Sequence, residues 1–211
     1  HPIEVTGRVR DFLLGRVGAP GTPTTLAALV ADRLTAGPSR LSEAARSALE
    51  SVVGAANVRV DDRTRLEHLG GASYVDYLRR RDGDTADVPD AVIFPGSHDD
   101  VVSILRACSE SGIAVVPRGG GTSVVGGLRL DRPHIVLDLH RLGTLISLDP
   151  VSCLATVGPA TTGPRLEPML AARGFTLGHL PQSWQRASIG GYAATRSAGQ
   201  ASSGYGRSDD M

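Results

Sequence analysis

Lysine is absent from this chain. All 22 basic residues among the 211 are arginine, and 22 aspartates and glutamates bring the formal net charge to zero. A lysine nucleophile, a lysine Schiff base and a P-loop lysine are therefore excluded within these residues. Aromatic residues are scarce at 4%, and only two cysteines occur, Cys108 and Cys153, far apart and without metal-ligand spacing. Both are expected to be small, reduced, buried side chains in a cytoplasmic-type protein, and no metal site is expected. No apolar run approaches the ~18 residues of a membrane span. The first residues lack the charged-then-apolar layout of a signal peptide. Zero net charge gives no electrostatic reason to expect nucleic acid as a partner.

Glycine, by contrast, is plentiful at 26 residues, and it is concentrated. Pro117–Gly127 reads Pro-Arg-Gly-Gly-Gly-Thr-Ser-Val-Val-Gly-Gly and follows the short apolar run Ile113–Val116. Three consecutive glycines let a backbone leaving a buried strand turn tightly with its N–H groups inward. With the Thr122 and Ser123 hydroxyls beside it, such a concavity suits a phosphate or pyrophosphate. Two common nucleotide motifs do not fit. The Rossmann fingerprint has Gly119 and Gly121 but Val124 in place of its third glycine, and Val-Val-Gly-Gly-Leu does not continue as a helix. The P-loop spacing has Gly121 and Gly126 but Gly127 where lysine is required.

Around that loop the chain is readable in order. Residues 1–40 predict a loosely packed arm with short helices near Val9–Val17 and Thr25–Leu34. His1 at the start and Met211 just after a glycine-rich turn raise the expectation that both ends are truncated. Ser42–Val53 is a helix, capped by Ser42 and stopped by Gly54, with Leu41, Ala45, Ala48, Leu49 and Val52 at helical spacing. The charged run within Asn57–Gly71 predicts a solvated helix start, with His68 a surface or satisfied histidine, and Tyr74–Arg81 a short amphipathic turn. Ala91–Phe94 is a strand. Ser97 and Asp100 open a helix whose apolar face is Val101, Val102, Ile104, Leu105 and Cys108, and Gly112 ends it. Ile113–Val116, Ile135–Leu139, Thr144–Leu148 and Leu154–Val157 are further strands, with Asp149-Pro150 turning between the last two. A helix starting at Thr162 has Pro164 in its first turn and Leu166, Met169 and Leu170 inward, and Gly174 ends it.

The last 30 residues are dominated by small side chains, but Trp184, Ile189, Tyr192 and Tyr205 are poor linker residues. Gly190–Ser203 is therefore expected as backbone packed directly on a flat ligand, with Ser202 and Ser203 as ordinary turn caps.

Three stretches together resemble a known family. They are Pro89-Asp-Ala-Val-Ile-Phe-Pro with His98-Asp-Asp-Val-Val; Pro117-Arg-Gly-Gly-Gly-Thr-Ser-Val; and Gly178-His-Leu-Pro-Gln-Ser through Gly190-Gly-Tyr-Ala-Ala-Thr-Arg-Ser-Ala-Gly. They resemble the FAD-binding domain shared by vanillyl-alcohol oxidase, p-cresol methylhydroxylase and their relatives, and in particular the alkyldihydroxyacetonephosphate synthases. The ending Gly204-Tyr-Gly-Arg-Ser-Asp-Asp-Met is similar as well, and Ser39–Gly83 fits the family's N-terminal region more loosely. The resemblance implies an α+β fold, with a small α/β subdomain and the start of a second mixed subdomain. It divides the chain into an N-terminal helical arm, 1–87, and an FAD-binding domain, 88–211, incomplete at its C-terminus.

For the site, the resemblance wraps the FAD pyrophosphate in Pro117, Arg118, Gly119, Gly120, Gly121, Thr122 and Ser123. It runs Gln182, Ser183, Trp184, Gln185, Arg186, Ala187 and Ser188 along the flavin, and places Thr195, Arg196, Ser197 and Ala198 there too. Gly190 and Gly191 would let backbone approach the cofactor closely. Relatives that tether FAD do so through a histidine in or just after the first loop. Thr122, Ser123 and Val124 stand there, so FAD is expected to be noncovalent. His179 matches a histidine near the flavin and is the candidate catalytic residue, with a structural role as its alternative; Gln182 replaces a frequent acidic residue.

The implied activity is exchange of the acyl chain of acyl-dihydroxyacetone phosphate for a fatty alcohol, in ether lipid synthesis. The alternatives are an FAD-linked D-lactate- or glycolate-type 2-hydroxy-acid dehydrogenase, and a truncated module without activity. The small-molecule or lipid substrate would be handled by a C-terminal cap domain that these residues do not contain. A homodimer and peripheral membrane contact of the longer protein are further expectations. Alone, the chain is expected to hold FAD without completing turnover.

Overall fold

A computed structural model describes residues 7–18, 34–130 and 132–210. The backbone clusters as two units, His1–Val30 and Ala31–Met211. In the first, α1 (Gly7–Val17) forms where helical spacing predicts it, with Val9, Phe12 and Leu13 exposed and the Arg16 guanidinium 5.5 Å over the Phe12 ring. The helix expected over Thr25–Leu34 lies outside the described residues except for Leu34, which is not helical.

The second unit is built on a four-stranded sheet. α2 (Glu43–Val53) starts at Ser42, whose hydroxyl accepts from the Ala45 amide at 3.2 Å, and stops at Gly54 with φ +82°. After a 3-10 turn over Ala55–Asn57, β1 (Val58–Arg59) pairs antiparallel with β2 (Ala91–Ile93). The charged run is thus part strand. Val58 is buried while Arg59 points outward, and only from Asp61 does helix α3 (Asp62–Glu67) begin. His68 is not at the surface: its ring is enclosed and hydrogen bonded. α4 (Tyr74–Arg81) is a true helix, held at its start by a reciprocal capping box between Ser73 and Asp76.

α5 (His98–Glu110) then opens on a second capping box, Ser97 with Asp100, and Gly112 takes φ +65° beyond its end. β3 (Ala114–Arg118) and β4 (His134–Asp138) complete the sheet in the order β1-β2-β4-β3, with β2, β4 and β3 parallel. A parallel sheet needs both faces covered, which explains why β2 and β4 are buried along their whole length. One face packs on Leu49, Ile104 and Cys108 from α2 and α5. The other packs Val92, Val116 and Val136 under Phe94, Leu128 and Leu130. The apolar face of α5 is narrower than expected, for Val102 and Leu105 are exposed.

β5 (Leu145–Asp149) and β6 (Leu154–Val157) form a separate antiparallel hairpin. Asp149 fixes its turn by accepting from the Val151 amide at 2.9 Å and the Ser152 hydroxyl at 2.6 Å. Cys153 sits in that turn at φ +56° and is exposed, so the expectation of two buried cysteines holds for Cys108 alone. α6 (Gly163–Ala171), α7 (Ile189–Thr195) and α8 (Ser202–Tyr205) follow. One α/β layer followed by the beginning of another agrees with the α+β expectation.

Packing crosses the expected boundary between residues 87 and 88. Leu49 and Val58 belong to the same core as Ile93 and Ile135. Arg40 pairs with the buried Asp90 at 3.0 Å, and the guanidinium of buried Arg65 donates to Pro89 O at 2.7 Å. Residues 34–87 are structural members of the unit.

Candidate functional site

The site begins where β3 and β4 end side by side. Arg118 is in register with Asp138, and its Nη1 donates to Asp138 Oδ2 at 3.1 Å. His68 Nε2 meets the same oxygen at 2.8 Å, while the His140 amide and Nδ1 meet Oδ1, each at 2.9 Å. Burial alone would raise the Asp138 pKa. The hydrogen bonds from His68 and His140 and the charge of Arg118 outweigh it and hold the carboxyl well below its ordinary range. Arg118 is thereby anchored at the mouth of the glycine loop.

In that loop, none of the six amide N–H groups from Gly119 to Val124 has an acceptor among the described residues. Gly121 adopts φ +64°, the left-handed conformation that reverses the backbone. The bareness of the other two glycines is used by the chain itself. A β-carbon on Gly120 would lie 2.6 Å from the Arg186 carbonyl carbon and 2.9 Å from Ala187 Cα. One on Gly119 would overlap the Ser188 hydroxyl. The second and third family stretches therefore meet directly, with Gly120 against the backbone of residues 186–187.

A cavity of about 560 Å³ opens beside them, within the range of ligand sites. Of the expected cofactor residues, Arg118, Gly120, Gly121, Thr122, Gln182, Ser183 and Arg186 line it. The opposite wall is Glu67, Leu69, Gly70, Gly71, Ala72, Tyr77 and Arg80, with Val124 added on the loop side. Sequence reasoning gave that wall no role. Its signal was Gly70-Gly71, which reads as a helix stop but is a close approach: the Ala72 amide donates to Ser123 O at 2.7 Å, and a β-carbon on Gly71 would overlap that oxygen.

Other expected residues lie off the cavity. Gly190–Ser203, expected as backbone on a flat ligand, begins as a helix: Ser188 caps α7 and residues 189–195 are helical. Gly190 is small because Pro159 packs on it: its amide donates to Pro159 O at 2.8 Å, and a β-carbon would come 2.8 Å from that ring's Cβ. The Trp184 indole packs on Gly163, where a β-carbon would lie 2.5 Å from its Cδ1. Pro117, Ser123, Gln185 and Ala187 do not line the cavity, nor do Gly191, Thr195, Arg196, Ser197 and Ala198. Thr195 bonds back to Gly191 O, and Arg196 pairs with Asp209 at 2.7 Å.

His179 is also off the cavity. It is buried, with Nε2 2.6 Å from the Ser197 hydroxyl and its ring edge-on to Tyr192 at 4.9 Å. Burial lowers its pKa, so the ring is kept neutral. That environment is one of packing between the turn at 178–181 and α7.

The chemistry of the cavity suits an anion. Three arginines and one glutamate line it, and the amides of its loop residues Gly120, Gly121, Thr122 and Val124 have no acceptor among the described residues. Two guanidinium nitrogens, Arg80 Nε and Arg118 Nε, are buried without a partner. The residues present fit a pyrophosphate-bearing cofactor. Among the described residues no cluster of His, Cys, Asp and Glu could hold a metal ion.

Several known proteins are similar to this chain. A family model described as FAD binding domain matches residues 89–211. The alkyldihydroxyacetonephosphate synthase of Trypanosoma brucei brucei is 36% identical over 168 residues, covering 77% of this chain and 27% of that protein. A solved structure of an alkyldihydroxyacetonephosphate synthase matches with a TM-score of 0.81 and 27% identity, over 86% of this chain and 35% of its own. A p-cresol methylhydroxylase structure, at TM-score 0.59 and 19% identity over 75% of this chain and 31% of its own, shares the fold. The chain spans about a quarter of the length of its curated relative.

Proposed function

The chain belongs to the FAD binding domain family, and from that premise we propose that it is the FAD-holding part of an alkyldihydroxyacetonephosphate-synthase-like flavoenzyme. FAD is the cofactor of the family; its placement on named residues is our reading. The observation that carries it is the row of amides from Gly119 to Val124 without an acceptor among the described residues, in a loop whose Gly120, Gly121, Thr122 and Val124 line one cavity with Arg80, Arg118 and Arg186. The amides would take the pyrophosphate oxygens, and Arg118, fixed by Asp138, would balance their charge. Gln182 and Ser183 on the facing segment supply polar groups to the same space.

When bound, the flavin supplies an electron sink that the side chains cannot provide. The chain's own part is to bind and orient it and to hold the 182–188 segment against the loop. FAD would be held noncovalently, since the loop offers no histidine from Thr122 to Val124. His179 Nε2 faces the Ser197 hydroxyl, so we assign this histidine to shaping α7 and not to proton transfer. The exchange of acyl for alkyl chain, a cap domain that handles the lipid substrate, a cytoplasmic setting, a homodimer and peripheral membrane contact belong to the same proposal for the longer protein.

The test has two stages. The purified 211-residue chain is titrated with FAD and followed by the flavin absorption band; a chain that takes up none defeats the binding claim. The full-length protein is then supplied with acyl-dihydroxyacetone phosphate and a fatty alcohol. Dye reduction by D-lactate or glycolate, without exchange, would replace the synthase reading with the dehydrogenase one, because the exchange has no net redox change.

A further inference from the structure

We propose that Arg80, outside the family's matched segment, is a cofactor-binding residue: it secures the far wall of the cavity and offers its Nε–H to an anionic oxygen of the bound flavin nucleotide. The inference rests on the FAD reading above.

Four observations converge on this side chain. It lines the cavity together with Arg118. Its Nη2 donates to both Leu69 O and Gly71 O, so one guanidinium end clamps the Gly70-Gly71 turn. That turn touches the phosphate loop, because the Ala72 amide donates to Ser123 O at 2.7 Å. The remaining Nε is buried and has no partner, as is Arg118 Nε.

A buried N–H left without an acceptor is costly, and two of them on guanidinium groups lining one cavity call for acceptors that the described residues do not supply. Guanidinium suits this double task, since its fork has donors to spare after two carbonyls are held. The group is also well positioned. The capping box of Ser73 and Asp76 fixes the start of α4, and the Arg80 guanidinium lies 5.6 Å from the Tyr77 ring centre. The proximal half of the site would then come from the family segment and the distal half from residues before it.

The experiment compares FAD dissociation constants of the wild-type chain and of Arg80→Gln, Arg80→Lys and Arg79→Gln, with the melting temperature of each apo protein as a check on folding. Arg79 is exposed on the same helix and does not line the cavity. Losing a charge-assisted hydrogen bond should weaken FAD binding by about 10- to 100-fold in Arg80→Gln. Arg80→Lys keeps the charge and a donor for the turn but has no N–H at the Nε position, so it should melt near wild type and still bind weakly. Arg79→Gln should bind as wild type does. Wild-type affinity in Arg80→Gln, or full rescue of affinity by Arg80→Lys, overturns the assignment. A wild-type chain that takes up no FAD overturns the functional reading, and the cofactor role of Arg80 with it.

Discussion

Gly120 is where the phosphate loop comes nearest to the rest of the chain, and it is the sharpest place to perturb. A β-carbon there would sit 2.6 Å from the Arg186 carbonyl carbon and 2.9 Å from Ala187 Cα, and would overlap the Arg186 oxygen. These are backbone atoms, and Ala187 and Ser188 are buried, so no rotamer change can make room. Gly120→Ala must push the loop and residues 186–188 apart. Overpacking of this kind costs about 1–3 kcal/mol. At about 2–4 °C per kcal/mol for a chain of this size, the apo protein should melt about 2–12 °C lower. Displacing the loop also misplaces its unpaired amides, and losing one charge-assisted hydrogen bond alone weakens FAD binding by about tenfold or more. Gly191→Ala is the control, because a β-carbon there meets nothing nearer than Ser188 Oγ at 3.4 Å. Thermal melts and FAD titration followed by flavin fluorescence read both effects. A Gly120→Ala protein that melts with wild type and keeps its flavin affinity would refute the backbone-on-backbone reading of the loop.

Three further outcomes follow from the packing and the buried ionisable groups. A chain cut to 89–211 should fail to melt cooperatively, since it loses Leu49 and Val58 from the core and leaves Asp90 without Arg40; a sharp calorimetric transition from that piece would contradict the integrated fold. Burial holds the His179 pKa below its ordinary 6.5, so the unfolded chain takes up this proton first as pH falls. Stability should therefore drop as pH goes below about 6.5, and urea midpoints for His179→Gln should show a shallower drop than wild type across about pH 7.5 to 5.5. The depressed Asp138 carboxyl adds its own loss only at far lower pH, below the ordinary 3.8 of aspartate. Burial pushes the Cys108 thiol up to about 11 while Cys153 is exposed, so a thiol reagent at neutral pH should modify one cysteine in the folded chain and two in denaturant; two fast-reacting thiols in the native protein would contradict the buried core.

What could be read from the sequence was what is decided locally. The strand–helix–strand of β2, α5 and β3 is announced by Ser97 with Asp100, by the spacing of Ile104 and Cys108, and by Gly112, all signals acting within a turn or two. β1 was invisible because two residues become a strand only through pairing with Val92 and Ile93, more than thirty positions away. The glycines divide the same way. Their sequence marks a place where backbone must come close to something, but it does not name the partner. At Gly190, which the resemblance set against the cofactor, the partner is Pro159, and Trp184, which it laid along the flavin, packs on Gly163.

In the glycine loop this ambiguity resolves into a mechanism. Gly119 and Gly120 press on Ser188 and on residues 186–187, and Gly71 presses on Ser123 from the other side. These three close approaches and the Ala72–Ser123 hydrogen bond hold the loop, while its amides from Gly119 to Val124 have no acceptor among the described residues. A loop gripped this way has little conformational entropy left to lose when an anion arrives, and preorganisation of that kind raises affinity without adding a contact. The small residues outside the loop, Gly71, Ala187 and Ser188, would therefore serve the proposed anion site by holding the loop.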